Sequence, residues 1–253
     1  MTSYFSAEDL RVMSEYGLDL PRILQFIQLT ESVGGKVAEI TLSTAEWIRL
    51  FEKDEDHKFL IEGAAYGFTW AAENPKDFYE IPNYVEMEHE QKVTARVKEM
   101  VDKGHIVQSD RDSVCGIAAI GVVDKQRSGF TKYRVVHDLS RPFSDSINDG
   151  MSVEKRTFAS FGTACAYMRP NAYMCKIDLS DAYRSVPMSP EWWPRHVFQW
   201  EGVVYQDLRM PFGNSGAPAA FDRITQAIVR LVKSKGHNSF VGYLDDFWLL
   251  ARE

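Results

Sequence analysis

The tightest constraint in this chain is an apolar segment, Phe240 to Leu250, split by two adjacent aspartates, Asp245 and Asp246. Adjacent like charges repel and aspartate is a poor strand former, so the pair does not belong inside a continuous strand. The segment is expected to fold as a hairpin with an apolar arm on each side and the carboxylates at its tip. Taken alone, the pair reads most simply as two solvated turn aspartates. A third carboxylate has a similar setting: Asp178 closes the apolar stretch Tyr173 to Asp178, expected to be a strand. Strand ends and hairpin tips are places where carboxylates can meet around hard divalent cations, which want oxygen ligands. Two such ions about 4 Å apart suit phosphoryl transfer, one activating the attacking oxygen and the other neutralising the leaving group.

The rest of the chain organises itself around these carboxylates. Residues 1–80 read as mostly helical: Ser43-Thr44-Ala45-Glu46 has a capping-box pattern, and Trp47, Leu50 and Phe51 follow at helical spacing. Nothing in them carries obvious chemistry, and they are expected to be a structural extension packed on the catalytic part. Residues 74–87 hold two prolines and look like an extended linker. From Glu88 to Lys103, Val93, Val97, Met100 and Val101 form a helical stripe that Gly104 can stop. Ile117 to Val123 and Lys132 to Asp138 look like strands, joined by Lys125-Gln126-Arg127-Ser128-Gly129 as a basic hairpin tip.

Further on, Ser189-Pro190-Glu191 opens a short helix. Phe198-Gln199-Trp200 and Val203-Val204-Tyr205 flank Glu201-Gly202 as a hairpin. A longer helix starts near Ser215 and Pro218, with Phe221, Ile224, Ile228 and Leu231 on one face. This order implies an α+β fold in which helices back an antiparallel sheet.

Net charge alone, −7, argues mildly against a nucleic-acid partner, but its distribution removes the objection. Residues 1–88 hold 17 acidic and 7 basic residues, a net of −10; the remainder holds 19 and 22, a net of +3. The acidity of the first third reads as a solvated face, and Arg209, Lys233 and Lys235 read as ordinary surface charges. The three cysteines, Cys115, Cys165 and Cys175, include no C-x-x-C pair and fit neither a disulfide framework nor a zinc site. They are expected to be small buried hydrophobes. The N-terminus has no signal-peptide pattern, and no apolar run reaches the roughly 18–20 residues of a membrane span. A soluble, intracellular protein with no membrane partner is expected.

Four segments together resemble the reverse transcriptases. Asp178-Leu179-Ser180-Asp181-Ala182-Tyr183 resembles their motif A, an aspartate followed five residues later by an aromatic. Met210-Pro211-Phe212-Gly213-Asn214-Ser215-Gly216-Ala217-Pro218 resembles motif B, and Tyr243-Leu244-Asp245-Asp246 resembles motif C. Lys125 and Tyr133-Arg134-Val135-Val136-His137-Asp138 look like the fingers segment that holds a triphosphate. All occur in the family's order, over about residues 80–253. Met210-Pro211-Phe212-Gly213, Arg141-Pro142-Phe143 and Ile147-Asn148-Asp149 look most like the DIRS-like or gypsy-like retrotransposon enzymes, and the acidic extension leans toward the former.

The resemblance implies a right-hand polymerase with fingers and palm over 81–253, no thumb before Glu253, and a helical extension over 1–80. It implies an RNA-directed DNA polymerase that extends a primer on an RNA or DNA template with deoxynucleoside triphosphates and two Mg²⁺ ions, Mn²⁺ being an alternative. Asp178, Asp245 and Asp246 would be the catalytic metal ligands. Backbone N–H groups at Asp181 and Ala182 would hold triphosphate oxygens. Tyr183 would be the steric gate against a 2′-hydroxyl, a core aromatic being the plainer reading. Arg134 and Lys125 would contact phosphate. Phe212 would pack near the nucleotide, and Gly213 and Gly216 would let backbone approach it.

Two other readings compete. An RNA-dependent RNA polymerase shares the palm, but Tyr243-Leu244 before the aspartate pair and Tyr183 at the gate speak against it. A catalytically idle retroelement fragment or nucleic-acid-binding remnant is the other, since the family's primer grip, thumb and RNase H lie beyond Glu253.

Overall fold

Residues 4–66 form five helices: α1 (Ala7–Tyr16), α2 (Leu20–Ser32), α3 (Glu39–Leu42), α4 (Thr44–Phe51) and α5 (His57–Tyr66). The structure is a computed structural model describing residues 4–73, 78–127 and 130–251. A capping box starts α1, where Ser6 accepts from the Asp9 N–H and Asp9 answers at Ser6. The box expected at Ser43 does not form: Ser43 precedes α4 but makes no side-chain cap. That helix buries Ala45, Ile48 and Phe51 and leaves Leu50 exposed, because its Ala45–Ile48 face packs against Met13 of α1 and Ile61 and Ala65 of α5.

Beyond the linker, α6 (Glu90–Asp102) buries Val93, Val97 and Met100 and ends at Gly104, whose φ of 66° takes the left-handed turn. Val101 faces solvent. Then come β1 (Ile106–Gln108), β2 (Ala119–Arg127), β3 (Phe130–Asp138), α7 (Phe161–Cys165), β4 (Tyr173–Asp178) and α8 (Ala182–Ser185). β5 (Val197–Trp200) and β6 (Val203–Asp207) form the expected hairpin, turning through Glu201 and Gly202 at φ 48° and 79°. α9 (Ala217–Ser234), β7 (Phe240–Tyr243) and β8 (Asp246–Ala251) complete the chain.

The strands do not make one sheet. They divide into three antiparallel sheets, β1-β6-β5, β2-β3 and β4-β8-β7, because β2 and β3 ladder only with each other, touching β5 through an isolated bridge at Ala118 and Phe198. Helix α9 backs the β7 side of the third sheet, and Gly242 of β7 lets it approach: a Cβ there would meet Thr225 and Val229. Hairpin-tip residues Ser128 and Gly129 and the side chain of Lys125 lie outside the described residues, as do linker residues 74–77. Among the described residues no helix is long and apolar enough to cross a membrane.

One hydrophobic core joins the N-terminal helices to the sheets, with Phe26, Phe51 and Leu60 packed into the same cluster as Trp192, Trp193 and Phe221. Phe68 lies between them, its N–H donating to Pro187 O and its carbonyl accepting from Ser189 N, each at 2.9 Å. The acidity of the first third is therefore only partly a solvated face. Asp54 and Asp56, in the turn before α5, pair with Arg230 at 2.6 and 3.0 Å, and Asp56 pairs with Arg223 at 2.6 Å. Burial pushes the Asp54 carboxyl up, but Arg230 and the Asp56 N–H outweigh it and leave it below the ordinary range. The extension is thus clamped by apolar burial and by charge to the palm's backing helix.

Candidate active site

Strand register brings the three aspartates to one place. Asp178 on β4 lies opposite Asp246 on β8, and Tyr243 on β7 lies opposite Asp246 from the other side. Facing residues of an antiparallel pair have Cα atoms roughly 4.5–5.5 Å apart. Leu244 and Asp245 make the intervening two-residue turn, with Leu244 at φ 51°, an unfavourable region for a branched side chain. The turn is held from two directions: Thr225 Oγ1 donates to Leu244 O at 2.7 Å, and Leu179 N donates to Asp245 O at 3.0 Å. Asp178 is exposed, while Asp245 and Asp246 are half-buried.

The side chains are less gathered than the backbone. Asp246 Oδ1 lies 2.8 Å from Lys176 Nζ, two residues before Asp178 on the paired strand. Among the described residues, the group whose donor atoms all fall within 4.8 Å of one another is Glu86, Glu88 and His89, on the fingers side, and not the aspartates. As a donor set the aspartates still fit hard divalent cations: three carboxylates on pinned backbone, with Lys176 as the cation to be displaced from Asp246.

Beside them sits a cluster of aromatic rings. The Tyr183 ring lies 5.1 Å from Phe212 and 5.2 Å from Phe221, so it is a packed aromatic. Burial, with Asp245 close by, pushes its phenol up to about 12. The guanidinium of Arg134, exposed on β3, lies 5.9 Å from the Phe212 ring centroid. Phe212 therefore packs against the Tyr183 ring, with Arg134 on the fingers side. Ala182, buried, begins α8, and Asp181 precedes it at φ 49°.

The glycines of this region have protein neighbours of their own. Gly213, at φ 111°, lies so close to His137 O that a Cβ would overlap it, and a Cβ on Gly216 would meet Trp70 and Met151. A family model described as "Reverse transcriptase (RNA-dependent DNA polymerase)" matches residues 121–253, more than half of the chain.

The chain belongs to the reverse transcriptase family. It is 29% identical over 165 residues to the retrovirus-related Pol polyprotein from transposon 297 of Drosophila melanogaster, covering 64% of this chain and 14% of that protein. The corresponding polyprotein from transposon opus of the same organism is 29% identical over 128 residues, 50% of this chain and 12% of its own length. The chain thus spans only about a seventh of these curated relatives. Among solved structures, a foamy viral protease-reverse transcriptase in complex with double-stranded DNA superimposes with a TM-score of 0.59 at 17% identity, over 85% of this chain and 38% of that one. A complex of the same kind of protein with RNA/DNA hybrid gives 0.55 at 13% identity, over 97% and 29%. At such identities the likeness speaks for the fold, an α+β fingers and palm.

Within this reverse transcriptase fold, Asp207 and Arg184, which belong to no sequence motif, hold the site together with polar residues inside the motif-like segments. Asp207, fully buried at the end of β6, receives Arg184 of α8 and lies 2.9 Å from His137 Nδ1 of β3. Burial pushes its carboxyl up, but Arg184 and His137 pull it further the other way, below the ordinary range. Asn148 donates to Gly213 O at 2.8 Å and accepts from Ser215 N at 2.9 Å, tying the 139–151 loop to motif B. Asn214 Oδ1 accepts from Gly216 and Ala217 N–H at 2.8 and 3.1 Å, which caps α9.

Two expectations fail here. Arg209 is not a surface charge: it is 5% exposed and donates to Lys36 O at 2.6 Å, and burial lowers its pKa to about 10. The long N-terminal segment covers it, a packing that local sequence does not encode. Cys165 and Cys175 are exposed and Cys115 is half-buried; Cys175 lies on β4, an edge strand of its sheet.

Proposed function

We infer that the parent protein is an RNA-directed DNA polymerase of a retroelement, adding deoxynucleotides to a primer 3′-hydroxyl on a nucleic-acid template. The observation that carries this is the β4/β8/β7 register, which sets Asp178 opposite Asp246 on adjacent strands with Asp245 in the turn between β7 and β8, near the Tyr183–Phe212 ring pair. Asp178 and Asp245 would hold two divalent ions, with Asp246 a third ligand once Lys176 gives way; the bound ions, Mg²⁺ or Mn²⁺, supply charge neutralisation at the reacting phosphate. The chain's own residues do the rest. Arg134 offers a fork of N–H donors to phosphate from the fingers, and N–H groups at Asp181 and Ala182 offer donors from the palm. Tyr183, wedged between Phe212 and Phe221, cannot swing aside and so meets the sugar where a 2′-hydroxyl would project. Lys125 is assigned to phosphate on the resemblance alone.

Template-primer binding is supported by the family and by the nucleic-acid complexes of the foamy viral proteins. The test pairs Mn²⁺ titration of this chain with RNA-templated primer extension by it, comparing the wild type with Asp178→Asn and Asp245→Asn. Mn²⁺ affinity should fall at least tenfold in each variant, a loss of about 1.4 kcal/mol, and any extension activity should disappear with it. Unchanged metal affinity, or equal extension by wild type and variant, would sink the assignment.

A further inference from the structure

Asp181 is a non-glycine residue at φ 49°, in the left-handed region, directly before α8. That conformation is costly for a residue with a Cβ and persists only where the surroundings hold it. Its carboxylate does not cap its own helix. Instead it crosses to α6, where Arg96 donates to one oxygen at 3.2 Å and Lys103 Nζ donates to the other. The same two cations share Glu99, 2.6 Å from Arg96 and 2.8 Å from Lys103. Four charges of alternating sign therefore close a ring, with Asp181 its only member outside α6 and its C-cap residue Lys103.

The helix and its C-cap supply three members, Arg96, Glu99 and Lys103, at i, i+3 and i+7, which all face one way. The ring is half sheltered: the Arg96 side chain is 27% exposed and Asp181 32%. Hydrogen bonding from Lys103, opposed by burial and aided by Arg96, holds the Asp181 carboxyl below the usual range. Arg96 also lines the narrow space between fingers and palm that Arg184 and Phe212 face. A lone carboxylate at this turn would repel an incoming polyphosphate; inside the ring its charge is already met.

We propose that Arg96 and Lys103 are positioning residues, clamping the Asp181 turn to the fingers helix so that a nucleoside triphosphate meets a fixed, charge-neutralised turn. The clamp stands on the ring alone, and its ligand rests on the nucleotide-binding reading above. Isolated surface pairs are worth little and would leave the turn unchanged when removed, which makes the two cases separable.

The reporter is the Ser185 amide, which donates to Asp181 O at 3.0 Å and so reads the turn directly. Hydrogen exchange at Ser185 should speed up about tenfold in an Arg96→Met, Lys103→Met variant, while amides in the middle of α9 keep their protection. The dissociation constant for a deoxynucleoside triphosphate with Mg²⁺ should rise about tenfold in the same variant. Exchanging the two cations, Arg96→Lys with Lys103→Arg, should restore most of both. In an Asp181→Gly background, the two Met substitutions should add nothing, because the ring is already open. Unchanged Ser185 exchange overturns the clamp whatever the nucleotide does. Faster exchange with unchanged nucleotide affinity overturns its link to binding. A wild-type chain that binds no nucleotide overturns the nucleotide-binding reading, and with it the ligand half of the proposal, while exchange still decides the clamp.

Discussion

His196 offers a prediction whose size and sign both follow from its surroundings. The ring is fully buried, and both nitrogens are committed. Nδ1 lies 2.9 Å from Trp192 O, which can only accept, so Nδ1 carries the proton. Nε2 lies 2.8 Å from Asn214 Nδ2, which donates, so Nε2 must be bare. A proton added at Nε2 would set two donors face to face and turn Asn214 away from the Gly216 and Ala217 N–H groups that it caps. Burial accordingly lowers the His196 pKa from 6.5 to about 4. Between those two values the unfolded chain binds a proton that the folded chain refuses. The stabilisation is therefore complete above about pH 6.5, declines as the pH falls toward 4, and is gone below it. At 1.36 kcal/mol per pH unit this amounts to about 3 kcal/mol. Urea unfolding from pH 7 down to pH 4 should show the wild type losing about 3 kcal/mol more than His196→Gln, which can keep one donor and one acceptor but does not titrate. His105, also held near 4 mainly by burial, is common to both proteins and cancels in the difference. Parallel pH dependence in the two proteins would refute the reasoning.

Two further outcomes are expected. Asp207→Asn leaves Arg184 and His137 without their buried carboxylate and should cost about 3–5 kcal/mol in urea unfolding; a loss under about 1 kcal/mol would mean that the network is not held as a unit. Gly213→Ala places a Cβ on the His137 carbonyl at φ 111°, so it should lower stability by about 3 kcal/mol or more. A melting temperature within a degree or two of the wild type would contradict that close approach.

Much of the fold was legible because its signals are local. Alternation and turn residues marked the Phe198–Tyr205 hairpin, and the 3.6-residue stripe marked α6 and α9. The hairpin around Asp245 and Asp246 was legible because two adjacent charges leave an apolar segment few alternatives. Where the expectations slipped, a neighbour decided: packing on α1 and α5 turned α4 so that Leu50 faces water, and the N-terminal segment buried Arg209. Partnership also decided the three-sheet division, since a strand's own sequence does not specify which edge it will join.

The aspartate hairpin shows the same boundary at the site itself. Sequence alone determined that the aspartate pair would mark a turn between two apolar arms and that Asp178 would end a strand, because adjacent charges interrupt an apolar segment; the turn itself falls on Leu244 and Asp245, and Asp246 opens β8. Only the tertiary structure decided that β8 lies between β4 and β7, opposing Asp178 to Asp246, and that Lys176 reaches Asp246. It alone joined Asp181 to Arg96 and Lys103, 85 and 78 residues away. Hydrophobic pattern and turn propensity act over a few residues, whereas charge pairing and sheet register depend on which distant segments the shared core brings together.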